Sequence, residues 1–457
     1  MNNLVAIILA AGKGTRMHSK YPKVLHKVGG KPMLQHVIDA ADVCGADKKI
    51  IIVGHEAEMV ETMVGSQGTI ALQAEQLGTG HAVMQTADAL NNFNGTALIL
   101  CGDTPLLDGE ELKKFCEAHK KSGAAATVLT AIMDDPFGYG RIIRDINGDV
   151  EGIVEQKDAT EAQKSIKEIN TGIYCIECPQ LFEALSTLTN NNAQGEYYLT
   201  DVLQKLRAAG QKIGGISTTD SDMVMGINSR RQLAVAESVM RQRILDKLMD
   251  AGVTIMDPAS TFIEADVKVG RDTIIYPYTW LEGNTEIGED CEIGPNARFT
   301  NVKIGNDNHL QFIYGHDCEI KNHVTAGPYV HLRPNTVISD SVKIGNYVEV
   351  KNSNVGIGTK LPHLTYIGDS DIGSGVNMGC GCITVNYDGK KKYRTVIGDN
   401  AFVGCNTNLV APVSVESNSY IGAGSTITKT VPENALAIAR AHQKNIEGWA
   451  EKYRKDE

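Results

Sequence analysis

The chain has 457 residues, of which 42% are hydrophobic and 22% charged, and its formal net charge at pH 7 is −11. This length predicts a multidomain globular protein, and the acidic balance argues against nucleic acid or an anionic membrane as a partner, because both require a basic face. The ten cysteines are scattered, unlike those of a small secreted disulfide framework. Since no apolar stretch approaches the ~18 residues of a membrane span and the first apolar run lacks the basic lead of a signal peptide, we expect a cytoplasmic protein.

Residues 1–228 alternate apolar runs with amphipathic segments, which is typical of a parallel sheet covered by helices. Ligands on such sheets bind where the strands end, and we assign these residues to one domain. Residues 229–251 follow as a helical pattern without Gly or Pro, and they are predicted to form a connecting arm. The clearest expected strands are Leu4–Leu9, 49–53, 97–101 and 125–130, and the clearest expected helices are 33–43 and 110–121.

The remainder of the chain, residues 252–457, is dominated by a six-residue repeat. A period of six fits neither a helix nor a half-buried strand, but it fits a parallel β-helix in which one apolar side chain per hexad points inward. Gly follows many of these positions, and we expect it to turn the corners. Two unbroken apolar series carry the repeat: Ile263, Val269, Ile275, Leu281, Ile287, Ile293 and Phe299, then Ile397, Val403, Leu409, Val415, Ile421 and Ile427.

The repeat is interrupted between Thr384 and Val396 by a segment with three successive lysines. An insertion of this kind must leave the coil stack, and such insertions commonly gather on a binding face. Two interpretations stay open for this segment, a solvated basic loop and a binding surface.

A glycine-rich turn, residues 9–17, follows the first strand. It is neither a P-loop, because Gly14 stands where Ser or Thr is needed, nor a dinucleotide fingerprint, because Met17 takes the last glycine position. Small residues and two cations, Lys13 and Arg16, nevertheless suit a triphosphate cradle. Asp103 terminates a later strand, where a carboxylate opposite a phosphate loop is a candidate ligand for Mg²⁺.

A second constellation of chemical groups lies in the repeat. Because residues about 18 apart stack on a solenoid with three hexads per turn, Arg333 and Lys351 are expected to form a vertical pair of cations that clamps a phosphate. His363 is then a candidate general base, and Glu349 is the group that we expect to orient it.

The ordered motifs of the first domain resemble those of sugar-1-phosphate nucleotidyltransferases. With the hexad repeat behind them, essentially the whole chain resembles the bacterial bifunctional N-acetylglucosamine-1-phosphate uridyltransferases and glucosamine-1-phosphate acetyltransferases. The resemblance implies an α/β Rossmann-like mixed sheet followed by a left-handed parallel β-helix. It also implies homotrimers, Mg²⁺ as cofactor, and UTP and acetyl-CoA as co-substrates in making UDP-N-acetylglucosamine for peptidoglycan and lipid-linked glycans.

The resemblance further implies the roles of individual residues in both sites. In the first site, Leu9, Ala10, Ala11 and Gly12 match the nucleotide loop, Lys13, Arg16 and Lys23 the phosphate ligands, Gln73, Gly78 and Thr79 the uridine contacts, Asp103 and Asn228 the Mg²⁺ ligands, and Gly140, Glu155 and Asn170 the amino-sugar contacts. In the second site, His363 matches the base, Arg333, Lys351, Tyr366, Asn377 and Lys392 the sugar-phosphate ligands, and Cys380, Asn386, Tyr387, Cys405, Ala423 and Arg440 the acetyl-CoA cleft.

The chain departs from the family pattern at several cysteines. Cys101 stands where an aromatic residue is common, and Cys380, Cys382 and Cys405 replace residues that are often Ala, Thr and Ser. Thiols near a thioester suggest either a covalent acetyl relay or sites of oxidative and alkylating inhibition, and the second interpretation is favoured because His363 already serves as a base. Cys175 and Cys178 have a zinc-like spacing, but without a second pair we interpret both as structural thiols.

The sequence leaves two alternatives to the bifunctional enzyme. The first is a single-activity sugar-1-phosphate nucleotidyltransferase with a structural β-helix, and the second is a non-enzymatic trimeric binding protein. The first leaves His363 and the insertion without a purpose, and the second leaves Asp103 and the glycine-rich turn unused. The bifunctional enzyme is therefore the favoured hypothesis.

Overall fold

A computed structural model describes residues 3–454 and divides the chain into two compact units between Met240 and Arg241. The division falls within a long helix, Arg230–Asp250, at the place of the predicted helical arm. The assignment of 1–228, 229–251 and 252–457 to domain, arm and domain stays a prediction. None of the helices in residues 3–454 is long and apolar enough to cross a bilayer.

The first unit is built around a nine-stranded mixed sheet. The strands of the unit are β1 (Leu4–Leu9), β2 (Lys27–Val28), β3 (Lys31–Pro32), β4 (Lys48–Val53), β5 (Thr69–Leu72), β6 (Thr96–Cys101), β7 (Ala126–Ile132), β8 (Arg141–Arg144), β9 (Val150–Val154), β10 (Glu168–Glu177) and β11 (Ile213–Thr218), of which β2 and β3 form a separate hairpin. The strand order of the sheet is β11-β7-β10-β6-β1-β4-β5, and β8 pairs with both β10 and β9.

Helices and short 3-10 turns connect these strands. The helices begin and end where local signals predict: Asp108 caps α4 by accepting bonds from the Glu110 and Glu111 amides, and Gly45 ends α1 in the left-handed conformation. The helices are α1 (Met33–Cys44), α2 (Ala57–Val64), α3 (Thr79–Met84), α4 (Gly109–Ser122), α5 (Glu161–Lys164), α6 (Cys178–Leu185), α7 (Asp201–Ala208) and α8 (Arg230–Asp250), and the 3-10 turns are Thr15–Met17, Lys23–Leu25, Gly65–Gln67, Asp88–Leu90 and Asp222–Val224.

The order of the strands decides where the first site lies. β1 pairs in parallel with both β4 and β6, so the carboxyl ends of these three strands open at one edge of the sheet. β10 runs antiparallel to β6 and β7, which makes the sheet mixed. The central strands are apolar on both faces because helices cover both sides. The predicted mixed α/β sheet is therefore confirmed.

The second unit consists of short parallel strands stacked coil on coil, in sheets of nineteen and nine strands. The larger sheet contains Thr254–Ile255, Phe262–Ile263, Ile274–Ile275, Trp280–Glu282, Glu292–Ile293, Ala297–Thr300, His309–Leu310, Ile313–His316, Thr325–Ala326, Val330–Leu332, Lys343–Lys351, Lys360–Gly368, Asn377–Met378, Ile383–Val385, Phe402–Val403, Asn408–Val410, Tyr420–Ile421, Thr426–Ile427 and Leu436–Ala437. The smaller sheet contains Lys268–Val269, Glu286–Ile287, Lys303–Ile304, Glu319–Ile320, Val337–Ile338, Asn354–Val355, Ser370–Ile372, Thr395–Ile397 and Val413–Val415. A 3-10 turn, Pro258–Ser260, and a helix, Trp449–Tyr453, complete the unit.

The hexad positions form the core of this unit, as the sequence predicted. Ile275, Leu281, Ile293 and Phe299 are fully buried, and Val269 is the partly buried member of its series. The parallel stacking of these short strands around the hexad residues confirms the parallel β-helix. Its left-handedness stays a prediction.

The glycine that follows an inward residue serves a purpose other than the predicted one. It does not turn the corner, because the residue with positive φ stands two positions later, as at Asp290 (φ 58°) and Tyr347 (φ 59°). Instead it permits close approach of the next coil: a Cβ on Gly345 would lie 1.8 Å from the Pro362 carbonyl oxygen. Glycine is therefore required at this position by the close approach of the backbones of adjacent coils, and not by a positive φ at the corner.

The insertion leaves the coil stack, as the sequence predicted. Ile383–Val385 and Thr395–Ile397 belong to the two different sheets, and between them Tyr387 and Lys392 form an antiparallel bridge. Asp388 accepts bonds from the amides of Lys390 and Lys391, each 2.7 Å long. The segment is therefore an ordered turn, in which hydrogen bonds hold the backbone of the lysines in place.

Candidate active sites

The first candidate site is a cavity of about 280 Å³ at the carboxyl ends of β1 and β6. Nine predicted residues line it, and sequence reasoning missed Val24, Gln76, Ala82 and Glu196. The predicted residues on its wall are Leu9, Ala10, Ala11, Gly12, Lys23, Gln73, Gly78, Thr79 and Asp103.

Three predicted residues that are far apart in sequence meet beside this cavity. The Lys23 ammonium contacts Asp103 Oδ2 and lies 2.9 Å from Asn228 Oδ1. Both side chains of the Lys23–Asp103 ion pair are largely buried. A carboxylate oxygen and an amide oxygen therefore converge on one positive charge, which is the donor set that a hard divalent cation prefers.

The oxygens of Asp103 and Asn228 are suitable ligands for a divalent cation. The Lys23 ammonium acts here as a stand-in for such a cation, and two oxygens of suitable type already face it. Residues 3–454 contain no group of three or more His, Cys, Asp or Glu that has metal-binding geometry. A cation held here would therefore complete its shell from water and phosphate, as Mg²⁺ usually does.

A second group of predicted residues, Gly140, Glu155 and Asn170, lies together where β8 and β10 adjoin. The Asn170 amide donates to the Gly140 carbonyl at 2.9 Å, and a Cβ on Gly140 would lie 3.5 Å from a Glu155 carboxylate oxygen. Burial, followed by the charge of Asp158, raises the pKa of Glu155. A half-buried carboxyl beside open backbone suits hydrogen bonding to a neutral sugar.

The other predicted residues of the first site differ in their hydrogen bonding and exposure. Buried Gln73 donates 3.0 Å to the Gly78 carbonyl and is also 3.1 Å from His81 Nδ1, so its amide is fixed. Lys13 and Arg16 are exposed after β1 and outside the lining of the cavity. Cys101 lines the cavity, and burial raises the pKa of its thiol to about 12, which makes it an inert wall residue.

The second candidate site lies on the β-helix around the strands Lys343–Lys351 and Lys360–Gly368. Leu332 pairs with Val350, so Arg333 and Lys351 occupy corresponding positions in adjacent coils. Each cation has a carboxylate partner: Arg333 Nη1 lies 2.8 Å from Glu349, and Lys351 Nζ lies 3.6 Å from Asp369. The predicted stacked cations are therefore present, each next to an acid.

The partner of His363 differs from the expected one. Its Nδ1 lies 2.8 Å from Asn346 Oδ1, whereas Glu349 is engaged by Arg333. The expectation that Glu349 orients the imidazole is wrong, because Asn346 is the directly opposing residue on the adjacent strand. Donation from Nδ1 to the Asn346 amide oxygen selects the neutral tautomer in which Nε2 is the nitrogen that can accept a proton.

Asp369, like Asn346, is a residue of this site that sequence reasoning missed. It accepts a bond from Asn386 at 2.5 Å and another from Asn352 at 2.5 Å. The Asn386 amide also lies 3.5 Å from the Tyr366 hydroxyl, and Lys392 lies beside Lys351. The structure thus brings together Arg333, Lys351, Tyr366, Asn386 and Lys392, while Asn377 lies in another strand beside Lys360 and Phe402.

Most of the residues predicted to line an acetyl-CoA cleft form one vertical column that begins at His363. In each coil, the backbone amide of the residue that follows the column member donates to the carbonyl of the column member in the preceding coil. These bonds join Gly381 to His363 (3.3 Å), Asn406 to Cys380 (2.7 Å) and Gly424 to Cys405 (2.8 Å). Arg440 closes the column, because its guanidinium donates to the Ala423 carbonyl at 2.6 Å. Tyr387 is exposed on the insertion.

The cysteines near this column differ in exposure. Cys405 is exposed and Cys380 is half-buried, whereas Cys382 points inward and donates 3.2 Å to the Gly404 carbonyl. Burial raises the pKa of Cys382 to about 11. Only Cys380 and Cys405 are therefore placed to meet a reagent from solvent.

Two family models match the chain, one in each unit. A nucleotidyl transferase model matches residues 5–223, and a bacterial transferase hexapeptide model matches residues 394–429. A solved structure titled a putative glucose-1-phosphate thymidylyltransferase from Bacillus anthracis is 22% identical, covers 52% of this chain and 94% of that chain, and has a TM-score of 0.43.

Curated relatives match over nearly the whole length and carry the name Bifunctional protein GlmU. The protein of Geobacillus sp. (strain WCH70) is 54% identical over 98% of this chain and 97% of its own. Those of Caldanaerobacter subterraneus subsp. tengcongensis and Clostridioides difficile (strain 630) are 54% and 51% identical over at least 98% of both chains. The chain therefore belongs to the GlmU family of bifunctional transferases.

Proposed function

We propose that the chain makes UDP-N-acetylglucosamine in two steps, one at each site. The β-helix site transfers the acetyl group of acetyl-CoA to the amine of glucosamine-1-phosphate. The α/β site transfers the uridylyl group of UTP to N-acetylglucosamine-1-phosphate and releases pyrophosphate. The observation that carries the proposal is that one chain of this family assembles both constellations, the Lys23–Asp103–Asn228 group and the His363 column.

The uridylyl transfer needs positioning and charge neutralisation and no protein nucleophile. The sugar phosphate attacks the α-phosphorus in line, and pyrophosphate leaves. Asp103 and Asn228 would hold Mg²⁺, which supplies Lewis-acid stabilisation of the phosphates when bound. The Lys23 ammonium, once it leaves those two oxygens, neutralises the charge that develops on the transferred group, as does Arg16.

The acetyl transfer proceeds directly from thioester to amine. His363 Nε2 accepts a proton from the amine of glucosamine-1-phosphate as the nitrogen attacks the thioester carbonyl carbon. The C–S bond then breaks, coenzyme A leaves as its thiolate, and the thiolate takes up the proton that His363 gained. Asn346 holds Nδ1 and so fixes the tautomer that leaves Nε2 free to accept. Because His363 supplies the base, no acyl-enzyme on Cys380 or Cys405 is required.

The assembly, cofactor and location follow the same proposal. We infer a homotrimer, supported by the exposed aromatic corner residues Tyr329 and Tyr347, whose rings stack at 5.1 Å between centroids. Mg²⁺ is the proposed cation, and a reducing cytoplasm agrees with cysteines that are all free thiols. The product would supply peptidoglycan and lipid-linked glycans.

The decisive test detects N-acetylglucosamine-1-phosphate by mass after incubation of the protein with glucosamine-1-phosphate and acetyl-CoA without UTP. Mass detection is required because thiol reagents would also react with the cysteines. We expect the product to form. A folded protein that makes none, yet still uridylylates N-acetylglucosamine-1-phosphate, would instead have a β-helix that serves only as a scaffold.

A further inference from the structure

We propose that Asp369 is a positioning residue for acetyl transfer: its buried carboxylate gathers Lys351 of the coil stack and Lys392 of the insertion into one phosphate clamp. This inference rests on the proposed acetyltransferase function. Asp369 lies at a coil corner and does not itself face the reacting amine or thioester in the mechanism above.

The carboxylate of Asp369 receives bonds from residues that come from separate parts of the unit. Asn352 donates to Oδ1 and Asn386 donates to Oδ2, each at 2.5 Å, and the Lys351 ammonium lies 3.6 Å from Oδ2. Its backbone adds two more links, since its amide donates to the Lys351 carbonyl at 3.0 Å and its carbonyl accepts from Thr395 at 3.1 Å. One residue therefore joins the strand of Lys351 to both ends of the insertion.

Asp317, at the equivalent corner of another coil, shows what an aspartate with a purely structural role looks like in this β-helix. Asp317 occupies the same corner column, also has positive φ, and accepts a bond from Asn301 in the way that Asp369 accepts one from Asn352. The side chain of Asp317 is 55% exposed, whereas that of Asp369 is only 7% exposed. Burying a carboxylate is costly unless cations and donors compensate, and only Asp369 has two lysines beside it.

The electrostatic arrangement explains what the carboxylate contributes. Lys351 and Lys392 lie side by side, and the Lys351 ammonium is the main reason that the pKa of Lys392 is lowered, whereas the negative charge of Asp369 counteracts this effect. Arg394 is the other cation that faces Asp369. Without the carboxylate, the two ammonium groups would repel each other, and Lys392 on its exposed turn would lose its proton more easily or move away.

The test is the isosteric variant Asp369→Asn, assayed for acetyl transfer by mass. Both Asp369 oxygens accept from NH₂ groups, of Asn352 and Asn386, so the NH₂ of the new amide must face one of these donors. The amide also carries no charge to hold the lysines. We expect the KM for glucosamine-1-phosphate to rise by at least about tenfold at pH 7.5, as expected for loss of charge-assisted bonds, with a smaller change in kcat. The KM ratio of variant to wild type should grow as the pH is raised toward 9, because Lys392 then deprotonates earlier.

Two matched variants serve as controls. Asp317→Asn tests the corner role alone. Asp371→Asn tests mechanical anchoring of the insertion, because Asp371 pairs with Arg394 through two bonds, one of 2.8 Å from Nε and one of 2.5 Å from Nη2. Both controls should keep the KM within about twofold of wild type, as is usual for exposed ion pairs, and uridylyl transfer should be unchanged in all three variants.

Three outcomes would overturn the proposal. The first is an unchanged KM in a folded Asp369→Asn protein. The second is a lower KM, which is what simple removal of a negative charge from an anion site would give. The third is an equal rise in KM in Asp371→Asn, which would assign the effect to anchoring. Failure of the proposed function itself is distinguishable, because the wild-type protein would then form no acetylated product.

Discussion

The two candidate sites are assembled in different ways. In the α/β unit, Lys23, Asp103 and Asn228 are distant in sequence and meet because β1 and β6 end at the same edge of the sheet. On the β-helix, His363, Cys380, Cys405 and Ala423 follow one another coil by coil. The order of the strands in the sheet thus brings the residues of the first site together. In the β-helix, the regular spacing of residues from one coil to the next does so. The two activities should therefore respond separately to substitution, and each serves as the internal control for the other.

The largest separation is expected from Asp103→Asn. This change removes the negative charge that faces the cation position, so uridylyl transfer should fall by at least about 10³-fold, and acetyl transfer should stay within about twofold. Pyrophosphate release and acetylated sugar are measured on the same preparation. Chelation of divalent cations should reproduce the pattern in the wild-type protein. Equal loss of both activities in a folded variant would contradict the independence of the sites.

The reverse separation is expected from His363→Ala. Loss of the general base should lower the kcat for acetyl transfer by about 10²- to 10⁴-fold and leave uridylyl transfer unchanged. His323→Ala is the matched control, because His323 is an exposed histidine of the same β-helix that pairs with Asp307. Full acetyl transfer by His363→Ala would exclude this residue as the base and reopen the acetyl relay through a thiol.

A smaller effect distinguishes the two candidate orienting residues. Asn346→Ala should lower the kcat for acetyl transfer by about tenfold, since a hydrogen bond to a group that becomes charged contributes about 1.5 kcal/mol, which corresponds to about a factor of ten in rate. Glu349→Gln should act mainly on the KM for the sugar phosphate, because Glu349 is bonded to Arg333 and not to His363. The split between kcat and KM is the measurement. A kcat effect confined to Glu349→Gln would restore the original expectation.

The smallest effect concerns the thiols. Acetyl-CoA should slow alkylation of Cys380 and Cys405 severalfold and leave Cys382 unreactive with or without it, because Cys382 is buried and a raised pKa keeps its thiol protonated. Peptide mass mapping of the alkylated protein measures each site separately. Indifference of Cys405 to acetyl-CoA would remove it from the proposed cleft.

The sequence by itself determined much of this protein. Leu4–Leu9 is recognisable as a short, continuous apolar run, and Met33–Cys44 is recognisable by its helical period. The hexad series predicts the inward column of the β-helix because only one register buries its apolar residues. The glycine-rich turn and Asp103 are recognisable because phosphate and cation chemistry restricts residue type. The insertion with the three lysines is recognisable because the six-residue apolar repeat stops before it and resumes after it.

Tertiary structure decided which side chains face each other. His363 lies opposite Asn346, 17 residues earlier, whereas the coil of about 18 residues assumed from the repeat would place Gly345 there. Lys23 lies between Asp103 and Asn228, and Asp369 is buried between two lysines, because non-local strand order and a looped-out insertion bring them together. A local pattern predicts the face on which a residue lies, but its partner depends on the exact number of residues in the coil, because a difference of one residue brings a different side chain opposite it.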